Sequence, residues 1–278
     1  MDSSQKLLFK IIFDFVLLAC VALPILILLL IGQPYERGFF CNDESLMHPY
    51  NENTVSMTML VSLGVCIPIV TIILIEIIRG RLNMNEESKR IIYSWNVPST
   101  VQNLYKYIGI FLFGAACCQL ITDIGKYSIG RFRPHFFYVC EPLMDGSSCS
   151  DPLNMNRYIE DFVCSNTQTS EKVLKDMRLS FPSGHASFAF YTMVFCALYL
   201  HSRMRWKGSK LFKHCIQFLL ILAAVYCALS RISDYKHHWS DVLAGTVLGL
   251  TVALVVVYAI SDLYKSHSKE KFEMLNQA

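Results

Sequence analysis

Residues 212–263 read FKHCIQFLLILAAVYCALSRISDYKHHWSDVLAGTVLGLTVALVVVYAISDL, two long apolar runs interrupted by a short polar insert. Each run, 212–230 and 242–263, has about the 20 apolar residues that a helix needs to cross a hydrocarbon core. The insert SRISDYKHHWSD, residues 230–241, gathers an arginine, a lysine, two histidines and two aspartates between them. Paired spans joined by a polar connection describe a membrane hairpin, and the insert is too polar to lie inside lipid without a function.

The rest of the chain agrees with that solvent. Of its 278 residues 53% are hydrophobic and only 17% charged, with a mean hydropathy of +0.37, which is outside the range of a soluble domain. Four further apolar runs lie at 8–31, 54–78, 105–128 and 186–202. The expectation is an all-α, six-span integral membrane protein forming one domain over 1–278, with no repeat, low-complexity tract or linker. The first run follows Lys6 and Lys10 as a signal peptide would, but it is too long, and Gly32-Gln33-Pro34 is a poor cleavage site, so it reads as a retained span.

Basic residues concentrate in short cytoplasmic loops. Arg79, Arg81, Lys89 and Arg90 follow the second run, Arg203, Arg205, Lys207, Lys210 and Lys213 the fourth, and Lys265, Lys269 and Lys271 the sixth. Both termini, including a tail over 264–278, are therefore expected in the cytosol, of either the plasma membrane or an internal membrane. Segments 32–53, 129–185 and 231–241 then face the exterior or a lumen. Of eleven cysteines, Cys41, Cys140, Cys149 and Cys164 fall in those segments, where an oxidising compartment favours disulfides; four cysteines allow three pairings, and the sequence does not choose among them. No N-x-[ST] acceptor occurs. Gly245 and Gly249 form a GxxxG in the sixth span, best explained by close helix packing.

Three polar clusters meet on the expected exterior face: KYSIGRFRP at 126–134, FPSGH at 181–185 and the insert at 230–241. Each taken alone has a structural explanation. Lys126, Arg133 and Arg231 can snorkel to headgroups, PSGH suits a helix start, and His237 with Asp241 can be an i,i+4 pair, with His238 and Trp239 as interfacial anchors. One functional reading covers all three. Three cations, a helix N-terminus with free N–H groups and two histidines form a site for a dianionic phosphate and its transfer. On a helix Asp241 stands one turn after His237, so its carboxylate is expected to accept the Nδ1–H and leave Nε2 as nucleophile.

These residues carry a resemblance. K-x6-RP (Lys126, Arg133, Pro134), PSGH (Pro182 to His185) and SR-x5-H-x3-D (Ser230, Arg231, His237, Asp241) are similar to the three-part signature of the type 2 phosphatidic acid phosphatase superfamily. RGFFCNDES at 37–45 resembles its animal lipid phosphate phosphatases more narrowly. The resemblance implies a helical core like that of vanadium haloperoxidases. It also implies Lys126, Arg133 and Arg231 as phosphate ligands, Ser183 and Gly184 as phosphate contacts, His185 as general acid, His237 as nucleophile and Asp241 as its orienting partner. The glycosylation acceptor usual in the family's large exterior loop is absent, since that stretch reads Ser147-Ser148-Cys149-Ser150.

The implied activity is metal-independent hydrolysis of lipid phosphates such as phosphatidate, lysophosphatidate, sphingosine 1-phosphate and ceramide 1-phosphate, through a phosphohistidine. The partners are these substrates and the bilayer. No nucleic acid, cofactor or metal is expected, and self-association stays open. The alternatives are a phosphotransferase or soluble-substrate phosphatase on the same signature, or a transport or adhesion protein. A transport path would have to use Asp14, Glu76 or Asp123, the last of which is expected to pair with Lys126.

Overall fold

The computed structural model of the chain describes residues 3–82, 90–92, 95–204 and 208–264. Lys89, Arg205, Lys207, Lys265, Lys269 and Lys271, and the tail from 265, lie outside the described residues. The helices are α1 Ser3–Ile31, α2 Met57–Arg81, α3 Ser99–Ile129, α4 Phe136–Cys140, α5 Glu171–Asp176, α6 Gly184–Arg203, α7 Lys210–Ser233 and α8 Trp239–Val255. A π turn, Val256–Ile260, continues α8.

Five helices are long and apolar enough to cross a membrane: α1, α2, α3, α7 and α8 with its π turn. The run expected at 186–202 is also helical, as α6, but it is not in that set. Its buried Ser187, Thr192 and Ser202 lower its hydropathy, and other helices cover it. It is the bundle's central helix, packed by α2, α3, α7 and α8 and buried along most of its length. The polar groups are satisfied there by backbone carbonyls: Ser202 Oγ donates to Leu263 O at 2.7 Å and Thr192 Oγ1 to Phe188 O at 2.9 Å. At the other extreme α1 packs mainly on α3 and presents large apolar side chains such as Phe9, Leu29 and Leu30 outward.

The GxxxG does what close packing requires. A Cβ at Gly245 would run into the carbonyl of Ser183, and one at Gly249 into that of Ser187, so both glycines let α8 lie directly on α6. The third helix starts at Ser99 rather than 105, because its first turns are polar and escape an apolar count.

A lobe sits on the motif-bearing end of the bundle, built from the α1–α2 connection and the long segment between α3 and α6. Phe39, Phe132, Phe136, Val139 and Met177 form its core. Two-residue antiparallel ladders, Phe39–Phe40 with Tyr158–Ile159 and Pro142–Leu143 with Val163–Cys164, stitch it together. The disulfides are Cys41–Cys149 and Cys140–Cys164, which settles the pairing the sequence left open. At the opposite end, Glu76 of α2 is fully buried and accepts from Arg203 Nε and Nη2, both at 2.9 Å, from Tyr199 Oη at 2.8 Å and from Asn103 Nδ2 at 3.0 Å. It ties α2, α3 and α6 together. Asp14 accepts from Tyr105 Oη at 2.8 Å. Asp123 accepts from Gln119 at 2.9 and 3.0 Å, not in an ion pair with Lys126, which corrects the expected pairing.

Candidate active site

The site begins where α3 ends. Gly130 caps that helix with a left-handed backbone, φ 59°, and donates its N–H to Lys126 O at 3.1 Å. A side chain there would collide with the backbone of Tyr35, so glycine serves both conformation and space. The chain then runs extended through Arg131 and Arg133 alongside 177–180. Arg133 N donates to Met177 O at 2.8 Å and Ser180 N to Arg131 O at 3.0 Å. That pairing brings the first motif beside the second. Arg133 is held by Asp176, through Nη2 to Oδ1 at 2.7 Å and Nε to the backbone O at 2.9 Å.

The second motif starts α6. Ser183 is the N-cap, its Oγ accepting from Ala186 N at 3.5 Å and its own N–H donating to Asp241 O at 3.0 Å. The N–H groups of Gly184 and His185 belong to the first turn and have no intrahelical acceptor. A methyl group at Gly184 would approach Lys126 Nζ to 3.3 Å, so this glycine is what lets the ammonium lie against the helix start. His185 Nε2 donates to Val55 O at 3.2 Å.

The third motif wraps around Arg231, which is 1% exposed. Nη2 donates to Asp234 Oδ2 at 2.6 Å, Nη1 to Asn53 Oδ1 at 2.8 Å and Nε to Ser230 Oγ at 3.3 Å. The N–H groups of Lys236 and His237 both donate back to Arg231 O. Tyr235 makes the turn with a positive φ of 52°, a conformation that costs a non-glycine residue of order 1–3 kcal/mol. Its carbonyl bonds His135 Nδ1 at 2.9 Å and its ring stacks on His48.

One expected contact is corrected. α8 begins at Trp239 with His238 as its N-cap, so residue 237 precedes the helix and does not share a helical face with 241. His237 Nδ1 lies 3.9 Å from Asp241 Oδ2 and donates instead to Ser180 O at 2.7 Å. Asp241 is fully buried and accepts from Arg131 Nη1 at 2.5 Å, Ser180 Oγ at 2.6 Å, His238 N at 3.0 Å and His238 Nδ1 at 3.2 Å. His238, expected to serve packing or the lipid interface, is thus a partner of the buried carboxylate. Its ring and Arg131 also line a cavity of about 240 Å³ on the lobe side, with Arg37 and Tyr158.

The electrostatics favour a neutral imidazole facing cations. Burial first, then Arg133 and Lys126, holds His237 well below the usual histidine range. Burial likewise takes His135 down to about 4. Lys236, 3% exposed with its ammonium 3.5 Å from the centre of the Tyr50 ring, is lowered to about 8 by burial and then by Arg133. No group of three His, Cys, Asp or Glu side chains among the described residues has metal-ligand spacing.

The structure therefore brings Arg133, Ser183, Gly184, His185, Arg231, His237 and Asp241 to one end of the bundle, with Lys126 at the start of α6. Sequence reasoning missed Asn53, Thr54 and Val55, which reach Arg231, Asp234 and His185 from the α1–α2 connection, and it missed Arg131, Ser180 and Lys236. Only the last three had a signal, since each is a polar residue beside or within a motif.

Residues 107–265 match the PAP2 superfamily. The chain belongs to that family. It is 49% identical over 98% of its length to a putative phosphatidate phosphatase of Drosophila melanogaster, covering 74% of that protein. It is 41% identical to phospholipid phosphatase 1 of Rattus norvegicus, over 94% of this chain and 88% of the relative. Phospholipid phosphatase 2 of Homo sapiens is 39% identical, over 92% and 84%. No solved structure matches the chain. As a PAP2 protein with these relatives it is a membrane-embedded phosphoric monoester hydrolase.

Proposed function

We propose that this PAP2 protein dephosphorylates membrane lipid phosphates through a phosphohistidine on His237, without a metal ion. The observation that carries the reading is the environment of His237. Its Nδ1–H is engaged by Ser180 O, so the neutral ring presents Nε2 as a lone pair, while Lys126 and Arg133 are the charges that act most strongly on it. In the first step the Nε2 lone pair attacks phosphorus in line, the bond to the ester oxygen breaks, and His185 delivers a proton to the departing alkoxide. His185 enters this step as the imidazolium, stabilised by the bound phosphate dianion, with its Nε2–H donated to Val55 O and its Nδ1–H as the proton that leaves. In the second step water attacks phosphorus, His185 takes its proton, and the P–N bond breaks to release inorganic phosphate. Uncatalysed phosphate monoester hydrolysis is slow enough that the site must lower the barrier by roughly 20 kcal/mol or more. Fixed cations and first-turn N–H groups in a water-poor site are the source of that stabilisation.

The substrate class follows from the membrane setting. A site at one end of an apolar bundle takes a headgroup while acyl chains stay in lipid, and phosphatidate, lysophosphatidate, sphingosine 1-phosphate and ceramide 1-phosphate fit that description. In this reading α6 is a further span, enclosed by α2, α3, α7 and α8, both termini are cytosolic, and the lobe with its two disulfides lies outside or in a lumen.

The test is rapid-quench labelling of purified protein with ³²P-lysophosphatidate, followed by mapping of acid-labile label. His237→Ala is expected to lose both turnover and label, and His185→Ala to slow both steps. Label on residue 238, or an active His237→Ala protein, would overturn the mechanism.

A further inference from the structure

Ser180 belongs to none of the three motifs, yet all three of its polar groups are committed. Its N–H donates to Arg131 O at 3.0 Å, its hydroxyl to Asp241 Oδ2 at 2.6 Å, and its carbonyl accepts from His237 Nδ1 at 2.7 Å. It is fully buried. We propose that Ser180 is the positioning residue through which Asp241 fixes the imidazole of His237.

The alternative, a direct Asp241–His237 bond, fails on distance and on capacity. The separation is 3.9 Å, beyond hydrogen-bond range. Oδ2 already receives Ser180 Oγ and two donors from His238, and Oδ1 receives Arg131. Asp241 is itself anchored at the third position of α8, where it accepts the His238 N–H and meets the positive end of the helix dipole. The carboxylate is thus a fixed post. The serine hydroxyl clamps residue 180 to it, and the orientation of the Ser180 carbonyl then sets the tautomer and tilt of the His237 ring. Asp241 still acts on the developing imidazolium charge across 3.9 Å, but the aim of the ring passes through Ser180.

This inference rests on His237 being the nucleophile. Its test is a double-mutant cycle of Ser180→Ala with Asp241→Asn, read as the single-turnover rate of phosphoenzyme formation alongside KM. Loss of a hydrogen bond to a charged acceptor predicts a fall of about 10- to 100-fold in that rate for Ser180→Ala. KM should stay within about twofold, because no phosphate ligand is removed. In the Asp241→Asn background the same substitution should cost no more than about twofold, because the hydroxyl has lost its charged partner. Ser180→Thr, which keeps the hydroxyl, should recover most of the rate, and Ser180→Cys serves if the alanine variant does not fold. A Ser180→Ala protein as fast as the parent, or effects that multiply independently with Asp241→Asn, would overturn the inference. If His237→Ala is inactive while Ser180→Ala is unimpaired, only this inference falls; if His237→Ala is active, the reading beneath it falls.

Discussion

Glu76→Gln isolates what holds the bundle from what does the chemistry. Glu76 is buried completely and Arg203 is 17% exposed at the side chain, with two guanidinium bonds at 2.9 Å and further donors from Tyr199 and Asn103. Removing the carboxylate charge leaves a largely buried guanidinium facing an amide, the situation in which breaking a buried pair costs about 3–5 kcal/mol. For a chain of this size each kcal/mol moves the melting midpoint by about 2–4 °C, so the expected drop is roughly 6–20 °C. The site should not feel it below the transition, because Arg203 and His185 are 18 residues apart on one helix, about 27 Å at 1.5 Å per residue. A thiol-reactive dye followed during heating in detergent reports the transition through the buried Cys118, Cys196 and Cys227, over a background from the exposed Cys20, Cys66 and Cys215. Replacing both partners, Glu76→Gln with Arg203→Gln, should recover at least half of the loss, since no unpaired charge remains. A midpoint within 2 °C of the parent, a double variant worse than either single one, or a low-temperature kcat down more than about threefold would refute the reasoning.

Lys236 predicts a basic limb in kcat/KM. Its ammonium is held near a value of about 8, so above that pH it loses the charge that attracts a dianionic phosphate, and Lys236→Met should abolish the limb; the folded value lies below the unfolded one, so stability should rise with pH between about 8 and 10.5 while the rate falls. A basic limb unchanged in Lys236→Met would assign it elsewhere. Activity on a lipid phosphate in mixed micelles should survive EDTA and be inhibited by vanadate, because side-chain cations do the charge neutralisation. Loss with EDTA that magnesium restores would sink the metal-independent mechanism.

The long apolar helices and the three motifs were legible because both are local. An apolar run needs only its own residues, and motif spacing counts along the chain. What escaped is what tertiary packing decides. Asn53, Thr54 and Val55 reach Arg231, Asp234 and His185 from well over a hundred residues away, and no periodicity in HPYNENTV marks them. Glu76 and Arg203 sit on different helices at a sequence separation of 127, so Glu76 could be read as an intramembrane acid but not as a closed clamp. The apolar residues of α6 mark it as a run, while its burial follows from its neighbours.

The histidine pair shows why a correct spacing can carry an incorrect geometry. H-x3-D suggests an i,i+4 pair only if the helix already includes the histidine. Here the helix starts two residues later, which makes Asp241 its third residue and His238 its cap. The first claim on the carboxylate is therefore the start of α8, where it satisfies an otherwise free N–H and opposes the helix dipole. His237, one residue before the cap, lies within 3.9 Å of that carboxylate but turns its Nδ1 to the carbonyl of Ser180. The same spacing thus serves both arrangements, and what separates them is where the chain stops being extended, a choice made by the turn at Tyr235 and the two N–H groups bound to Arg231 O.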